Sequence, residues 1–310
     1  MLGPNKKSGL VALNLRPDRV EVARISRGDG ARATVELCTS FRKQGSDEDA
    51  LLRLRREMNL DRFRCATLLP AGDYQMQLID APNVPQEETK SAVRWRMKEF
   101  LDYPVEEATV DVVSIPGDPN APTRGRSVYA ISARNDVIAS RMQLFSKAKL
   151  PLGVIDIPEM AQRNLAALFE IEHRGLAMLS FSEERGLLTF TADGELYLAR
   201  SIEVGLSQLL MASAEDKESL FERVVLELQR SLDHFDRQFS YIPVAKLVVA
   251  PLPEEIGLEP HLMQNLYVQV EIANLDQVLD MRSAPELSNT ANQLQHWNVI
   301  GAALRQEAGR

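Results

Sequence analysis

One order of segments occurs twice in this chain, and it constrains the fold more than any composition does. Val11–Leu15 and Val20–Ile25, in "VALNLRPDRVEVARI", alternate apolar with other residues across a short turn and read as a hairpin. Ala33–Thr39 follows as a third strand after Gly28-Asp29-Gly30. From residue 176 the order returns: Leu176–Phe181, a turn, Gly186–Thr191, a tight Asp193-Gly194 turn, then Glu195–Ile202. The two passes share little identity, so the repeat is architectural. Two such passes, each continued by helices and further strands, predict two related α/β domains around a cleft.

The intervening segments fill that outline. Asp47–Arg56 reads as a helix capped by Ser46 or Asp47, with Ala50, Leu51 and Leu54 on one side. Cys65–Leu69 and Tyr74–Asp80 read as strands, and Gln86–Leu101 as a helix whose Val93, Met97, Phe100 and Leu101 share a face. Thr109–Ile115 and Ser127–Ser132 are strands joined by the Pro- and Gly-rich "PGDPNAPTRGR". A helix (Asp136–Ala148), a strand (Gly153–Ile157) and a helix opened by Pro158 and running to Phe169 complete the first half. After the second pass, Glu218–Phe239 is the longest helix, with Leu220, Val224, Leu228, Phe235 and Phe239 as its core stripe. Lys246–Ala250, Glu259–Leu266, Val268–Ile272 and Ala291–Gln306 read as strand, helix, strand and helix.

At 310 residues the chain can bury two cores. Its 45% hydrophobic and 26% charged residues are those of a globular protein, and a net charge of −8 argues against a nucleic-acid partner. The basic clusters at Arg53, Arg55 and Arg56 and at Arg94, Arg96 and Lys98 read first as solvated helix faces. Cys38 and Cys65 are the two cysteines, without CxxC spacing, and are expected as free thiols in a reducing compartment. "MLGPNKKSGLVALNL" has no signal-type apolar run, and no window approaches the roughly 18 apolar residues of a membrane helix. The expectation is a cytoplasmic protein without direct membrane insertion, reaching a membrane through a partner.

Four ordered blocks, "RWRMKEFLDYPVEEATVDVVSIPG", "VIDIPEMAQRNLAAL", "LYLARSIEVG" and "ELQRSLDHFDRQF", carry a family likeness nearly end to end. The chain resembles the PilM-like actin-fold proteins of type IV pilus assembly. It is most similar to the MshI branch, associated with mannose-sensitive haemagglutinin (MSHA) pili. The resemblance implies an α/β, actin-like ATPase (ribonuclease H-like) fold of two lobes. Residues 1–175 would form the first lobe, with a ferredoxin-like subdomain inserted at 73–150, and residues 176–310 the second. It also implies a scaffold at the cytoplasmic side of the inner membrane. Its partner would be the cytoplasmic N-terminal tail of a single-pass inner-membrane pilus assembly protein, docked between the inserted subdomain and its first-lobe neighbour. The assembly motor ATPase is a further implied partner. A similar cytoplasmic domain in type II secretion is fused to a membrane helix, and the end of this chain at Arg310 favours the separate version.

The resemblance invites a test of the nucleotide site. The first actin-like hairpin typically reads D-I-G-S-T-S-V, and the aligned residues here are Asn14 through Val20. Asn14 stands for the metal-holding acid and is a poorer ligand for a hard cation. Arg16 stands for the glycine that admits phosphate, and Pro17 removes a backbone N–H that a phosphate nest would use. Arg16 could instead offer phosphate a positive charge. The second hairpin reads Ser180-Phe181-Ser182-Glu183-Glu184-Arg185-Gly186, again without the acid, and Glu183 and Glu184 bring negative charge. Where ATP-binding members carry a glycine-rich turn, this chain has "APLPEE" with Pro251 and Pro253. Asn14, Arg16, Pro17, Ser180, Ser182 and Pro251 thus mark a degenerate site, and the expectation is a non-enzyme with no cofactor. The alternatives are a Mg-ATP-binding relative whose nucleotide gates partner affinity, and a type II secretion platform.

No other chemistry stands out. His173, His234, His261 and His296 lack ligand spacing, and no nucleophile elbow, Walker loop or dinucleotide motif occurs, so neither metal nor catalytic residues are assigned. Glu222, Glu227 and Asp233 read as solvent-facing charges. Trp95, on the polar side of its helix between Arg94 and Lys98, is a candidate anchor for a partner peptide; the bland reading is that it packs against a neighbouring strand or lobe.

Overall fold

The computed structural model describes residues 10–27, 32–118, 125–253 and 256–306. Gly28-Asp29-Gly30, residues 119–124 of the "PGDPNAPTRGR" loop, and Glu254 and Glu255 lie outside the described residues.

The first pass forms an antiparallel meander of β1 (Leu10–Leu15), β2 (Arg19–Ser26) and β3 (Ala33–Arg42). α1 (Asp47–Met58) starts at a capping box, in which the Ser46 hydroxyl accepts from the Asp49 N–H and the Asp49 carboxylate accepts from the Ser46 N–H. It stops at Asn59, whose left-handed backbone reverses the chain. β4 (Arg64–Leu68) then runs parallel to β1.

The chain next leaves the sheet. β5 (Tyr74–Asp80), α2 (Gln86–Arg96), β6 (Ala108–Ser114), β7 (Ser127–Arg134) and α3 (Asn135–Lys147) build a separate antiparallel sheet in the order β5-β7-β6. A β-α-β-β-α path with that order is the ferredoxin-like motif without its last strand. α2 ends at Arg96 rather than Leu101; Met97–Glu99 tighten into a short helical turn, and Phe100 leaves the buried face at 46% exposure. β8 (Leu152–Asp156) returns to the first sheet beside β4, and α4 (Pro158–Ala166) follows.

The second pass repeats the plan. β9 (Gly175–Phe181), β10 (Gly186–Ala192) and β11 (Glu195–Ile202) form the meander. After α5 (Leu206–Met211) and α6 (Ala214–Gln238), β12 (Val244–Val249) lies parallel to β9. After α7 (Leu258–Asn265), β13 (Gln269–Ile272) lies parallel to β12. The sheet order β11-β10-β9-β12-β13 thus matches β3-β2-β1-β4-β8 position for position. On α6 the expected stripe faces inward: Val224, Leu228 and Phe235 are buried, and Phe235 stacks on Phe190 of β10 with ring centroids 4.7 Å apart.

The chain's end departs from the expected boundary. α8 (Leu275–Val278) leads to β14 (Leu279–Asp280), which pairs with β3 and makes the first sheet six-stranded. α9 (Thr290–Ala303) packs on β1, β2 and α4. Residues 279–303, read as second-lobe sequence, therefore belong with the first sheet. The cause is burial: Trp297, Val299, Ile300, Ala302 and Ala303 leave α9 no water-facing stripe, so it lies between a sheet and α4. α4 in turn packs on β9, β10 and β11, so each sheet is covered by a helix that touches the other's.

Candidate functional site

The β1–β2 turn is closed on itself. The Arg16 N–H donates to the Arg19 carbonyl at 2.9 Å, leaving Pro17 and Asp18 at the tip. Asn14 is buried, and its amide donates to Glu21 at 2.8 Å. Glu21, 2% exposed, is also paired with Arg19 at 3.0 Å, and Arg19 reaches Asp18 at 3.0 Å. A buried carboxylate needs such partners, and here they come from the hairpin itself. Asn14 is thus engaged by a side chain of the neighbouring strand.

The second turn is filled in another way. Ser180 is buried on β9 and donates to Gln162 of α4 at 2.5 Å; the Gln162 amide donates to the carbonyls of Met178 and Leu187 and to Thr189. Ser182 closes the turn, its N–H donating to the Arg185 carbonyl at 2.8 Å. The start of α5 sits on the tip: the Leu206 and Ser207 N–H groups donate to the carbonyls of Ser182 and Glu183, and the Ser207 hydroxyl donates to the Glu183 carboxylate. Gly205 permits this approach, because a Cβ there would lie 2.3 Å from the Glu184 carbonyl carbon. Pro251 is buried after β12, beside an Ala250 N–H that donates to Leu179. Asn14, Arg16 and Pro17 therefore gather on the first sheet, and Ser180, Ser182 and Pro251 on the second. In these turns the Arg16 N–H, the Asn14 amide and the Ser180 and Ser182 hydroxyls each have a partner within the fold.

At the end of β8, buried Asp156 accepts from its neighbour's N–H and from Arg305 at 2.9 Å. One turn on, Glu159 accepts from the Tyr74 hydroxyl at 2.5 Å. Burial pushes the Glu159 carboxyl above its usual 4.5, the Tyr74 hydrogen bond opposes that, and Asp156 adds to it. A carboxyl whose folded pKa is raised stabilises the fold fully below its unfolded pKa and loses that contribution as pH rises through the folded one. Glu159→Gln mimics the protonated form. Its melting temperature should exceed that of the wild type at neutral pH, and the two should converge below pH 4.5. Thermal melts across that range check the prediction, and a variant no more stable at neutral pH would refute it.

A different place offers open space. Met142 and Ser146 of α3, Leu150, and residues Leu152–Ile155 of β8 line a groove of about 350 Å³ between the inserted subdomain and the first sheet. β8 is the last strand of that sheet, so one edge of its backbone has no neighbouring strand among the described residues. Arg64 crosses β8 over Gly153, donating to the Gly153 carbonyl at 3.1 Å; a Cβ there would lie 1.9 Å from the guanidinium nitrogen.

The three candidate partner contacts, Arg94 and Trp95 on α2 and Lys98 in the turn after it, separate. Arg94 donates to the carbonyls of Val105 and Glu106 and fastens a loop. Trp95 is 66% exposed, which removes the reading that it packs against a strand or lobe, and Lys98 is exposed beside it. None of the three lines the groove. Among the described residues no cluster of three metal-ligating side chains occurs, and no helix is long and apolar enough to cross a membrane. His296 is buried and its Nδ1 lies 2.8 Å from the Asn292 carbonyl, within its own helix. Sequence reasoning named no groove residue. Gly153 was the available signal, since a glycine within a strand marks a close approach.

No family model and no curated protein matches the chain. Among solved structures it is similar to a chain of the PilM–PilN type IV pilus biogenesis complex, at 18% identity and a TM-score of 0.69, covering 96% of this chain and 98% of that one. A Bacteroides thetaiotaomicron protein of actin-like ATPase fold and unknown function aligns at 12% identity and a TM-score of 0.50, over 92% and 97% of the two chains. The cytoplasmic domain of EpsL, an inner-membrane component of the Vibrio cholerae type II secretion system, aligns at 13% identity and 0.49, over 94% of each. The two matching sheets, their crossed helices and the first two of these likenesses together make the chain a two-lobed protein of the actin-like fold.

Proposed function

We propose that this chain is a non-catalytic cytoplasmic scaffold of an inner-membrane pilus assembly complex, which captures the extended N-terminal tail of a single-pass membrane partner. The observation that carries the proposal is the groove between α3 and β8, a slot of mixed polar and apolar lining along the last strand of the first sheet. Such an edge suits a peptide added in extended form, with backbone hydrogen bonds for affinity and pockets for alternate side chains. The fold likeness to a structure solved as a two-protein pilus complex supports the same reading. Within that class the four sequence blocks favour the MshI branch and MSHA pili. The assembly motor ATPase is a second proposed partner, and the protein would be peripheral to the inner membrane through its tail-bearing partner.

Catalysis is set aside on the chemistry of the two hairpins. Asn14 is held by Glu21, Pro17 has no N–H to offer, and the Ser182–Arg185 turn is covered by α5. In calorimetry, titration with Mg-ATP is expected to give no saturable heat; saturable binding at micromolar affinity would favour the nucleotide-gated alternative. Purification from membranes, with and without Mg-ATP, tests the proposal as a whole. A single-pass pilus assembly protein should be recovered equally in both, whereas a type II secretion component would overturn the pilus assignment.

A further inference from the structure

The inserted subdomain is buried on two sides, in two different cores. From its sheet, Tyr129 and Ile115 are buried in the core of the second lobe, with Tyr74, Met76, Val113 and Ile131 packed against the same cluster. From its helical side, Phe145 of α3 and the following Ala148 and Leu150 are buried in the first-lobe core with Leu51 and Leu54 of α1. The subdomain keeps a small core of its own between these faces, built on Val93, Met97 and Ala130. It therefore has one side in each lobe and a core of its own between them.

Hydrogen bonds pin the second-lobe side. The Ala199 N–H of β11 donates to the Tyr129 hydroxyl at 2.9 Å, and the Tyr74 hydroxyl donates to Glu159 of α4, the helix that covers the second sheet. The lobes are joined again where α4 crosses α9. There the Gly301 backbone meets Ala161 so closely that a Cβ would lie 2.3 Å from the Ala161 carbonyl oxygen, and the Asn164 amide donates to the Gly301 carbonyl at 2.9 Å. A single crossing would act as a hinge. A second attachment, whose Tyr129 contact is on β11 and not on α4, removes that freedom, because rotation would have to pull the subdomain out of one core or the other.

We infer that the inserted subdomain is a brace that holds the two lobes at one separation, so that the cleft does not open and close in the working protein. The inference is independent of whether the cleft retains any nucleotide. A nucleotide that bound without moving the lobes would defeat the reading of an empty site and leave the brace intact.

Spin labels on the full chain test it. Arg62→Cys in the first lobe and Glu222→Cys on α6 are both exposed positions, while the native Cys38 and Cys65 are buried and free, so labelling goes to the introduced thiols. The expected result is one narrow inter-label distance, unmoved by saturating Mg-ATP. Tyr129→Ala, which removes the ring and its hydrogen bond from the second-lobe core, should broaden the distribution or add a longer population. Leu262→Ala, equally buried in that core but outside the subdomain, should leave it narrow. A broad or two-peaked wild-type distribution, a shift with Mg-ATP, a Tyr129→Ala distribution as narrow as the wild type, or equal broadening by Leu262→Ala would each overturn the inference. Should Tyr129→Ala fail to fold, Ile131→Ala, partly buried on the same face of the subdomain, takes its place with the same expected broadening.

Discussion

Gly301→Ala is expected to destabilise the protein by about 3 kcal/mol, although alanine is the better helix former. In an unobstructed helix the change would gain roughly 0.5–1 kcal/mol. Here the added Cβ would sit 2.3 Å from the Ala161 carbonyl oxygen and 2.7 Å from its carbon, both backbone atoms of another helix. Neither can swing aside like a side-chain end, so α4 and α9 must separate. Overpacking of that kind costs about 1–3 kcal/mol or more. Separation also lengthens the Asn164–Gly301 hydrogen bond, and a stranded buried donor costs a further 1–3 kcal/mol or so. Gly72→Ala is the control: a Cβ there meets nothing within 4 Å, and its effect should stay within about 0.5 kcal/mol. Urea melts of the two variants measure the difference. Equal stabilities would mean that the helices slide apart without cost and that the crossing does not set the spacing of the lobes.

Local rules made much of this fold legible. The strands β1, β2, β9 and β10, the Ser46 cap and the stripe on α6 each depend on residues a few positions apart, and each stands in the structure, although β1 and β9 are buried on both faces where alternation in β1 predicted one. The composition of the two turns is readable for the same reason: Arg16-Pro17 and Ser180-Phe181-Ser182 are contiguous, and a missing carboxylate or N–H is visible without coordinates. Two features were hidden because their partners are distant in sequence. β14 is two residues long and has no periodicity of its own; its pairing with residues 33 and 34 exists only once α9 is placed. Gly205 signals nothing in "IEVGLSQ" until the second turn is seen to lie against it. Arg94 shows the converse limit, since its type and spacing suggested an exposed contact while its guanidinium serves the carbonyls of residues 105 and 106.

Ser146→Arg is expected to weaken capture of the partner's tail by a factor of about 100 or more, close to 3 kcal/mol. Ser146 is exposed on α3 and lines the groove opposite β8, so a longer side chain can be accommodated by the fold. It cannot be accommodated by an occupant, because guanidinium would fill a slot whose other walls are Met142, Leu150 and residues Leu152–Ile155 of β8. An exposed substitution of this kind shifts stability by no more than about 0.5 kcal/mol, so an intact melting curve separates lost binding from lost folding. Trp95→Ala is the discriminating partner experiment. Trp95 is a large exposed aromatic, the residue type that most often dominates an interface, yet it lies outside the groove. With the tail in the groove, Trp95→Ala should change affinity by less than about threefold, a few tenths of a kcal/mol. Fluorescence anisotropy with a labelled peptide of the co-purified partner's N-terminal tail reads both variants on one scale. The opposite ranking, with Trp95→Ala abolishing binding and Ser146→Arg tolerated, would move the tail's seat to α2 and leave the groove without its proposed occupant.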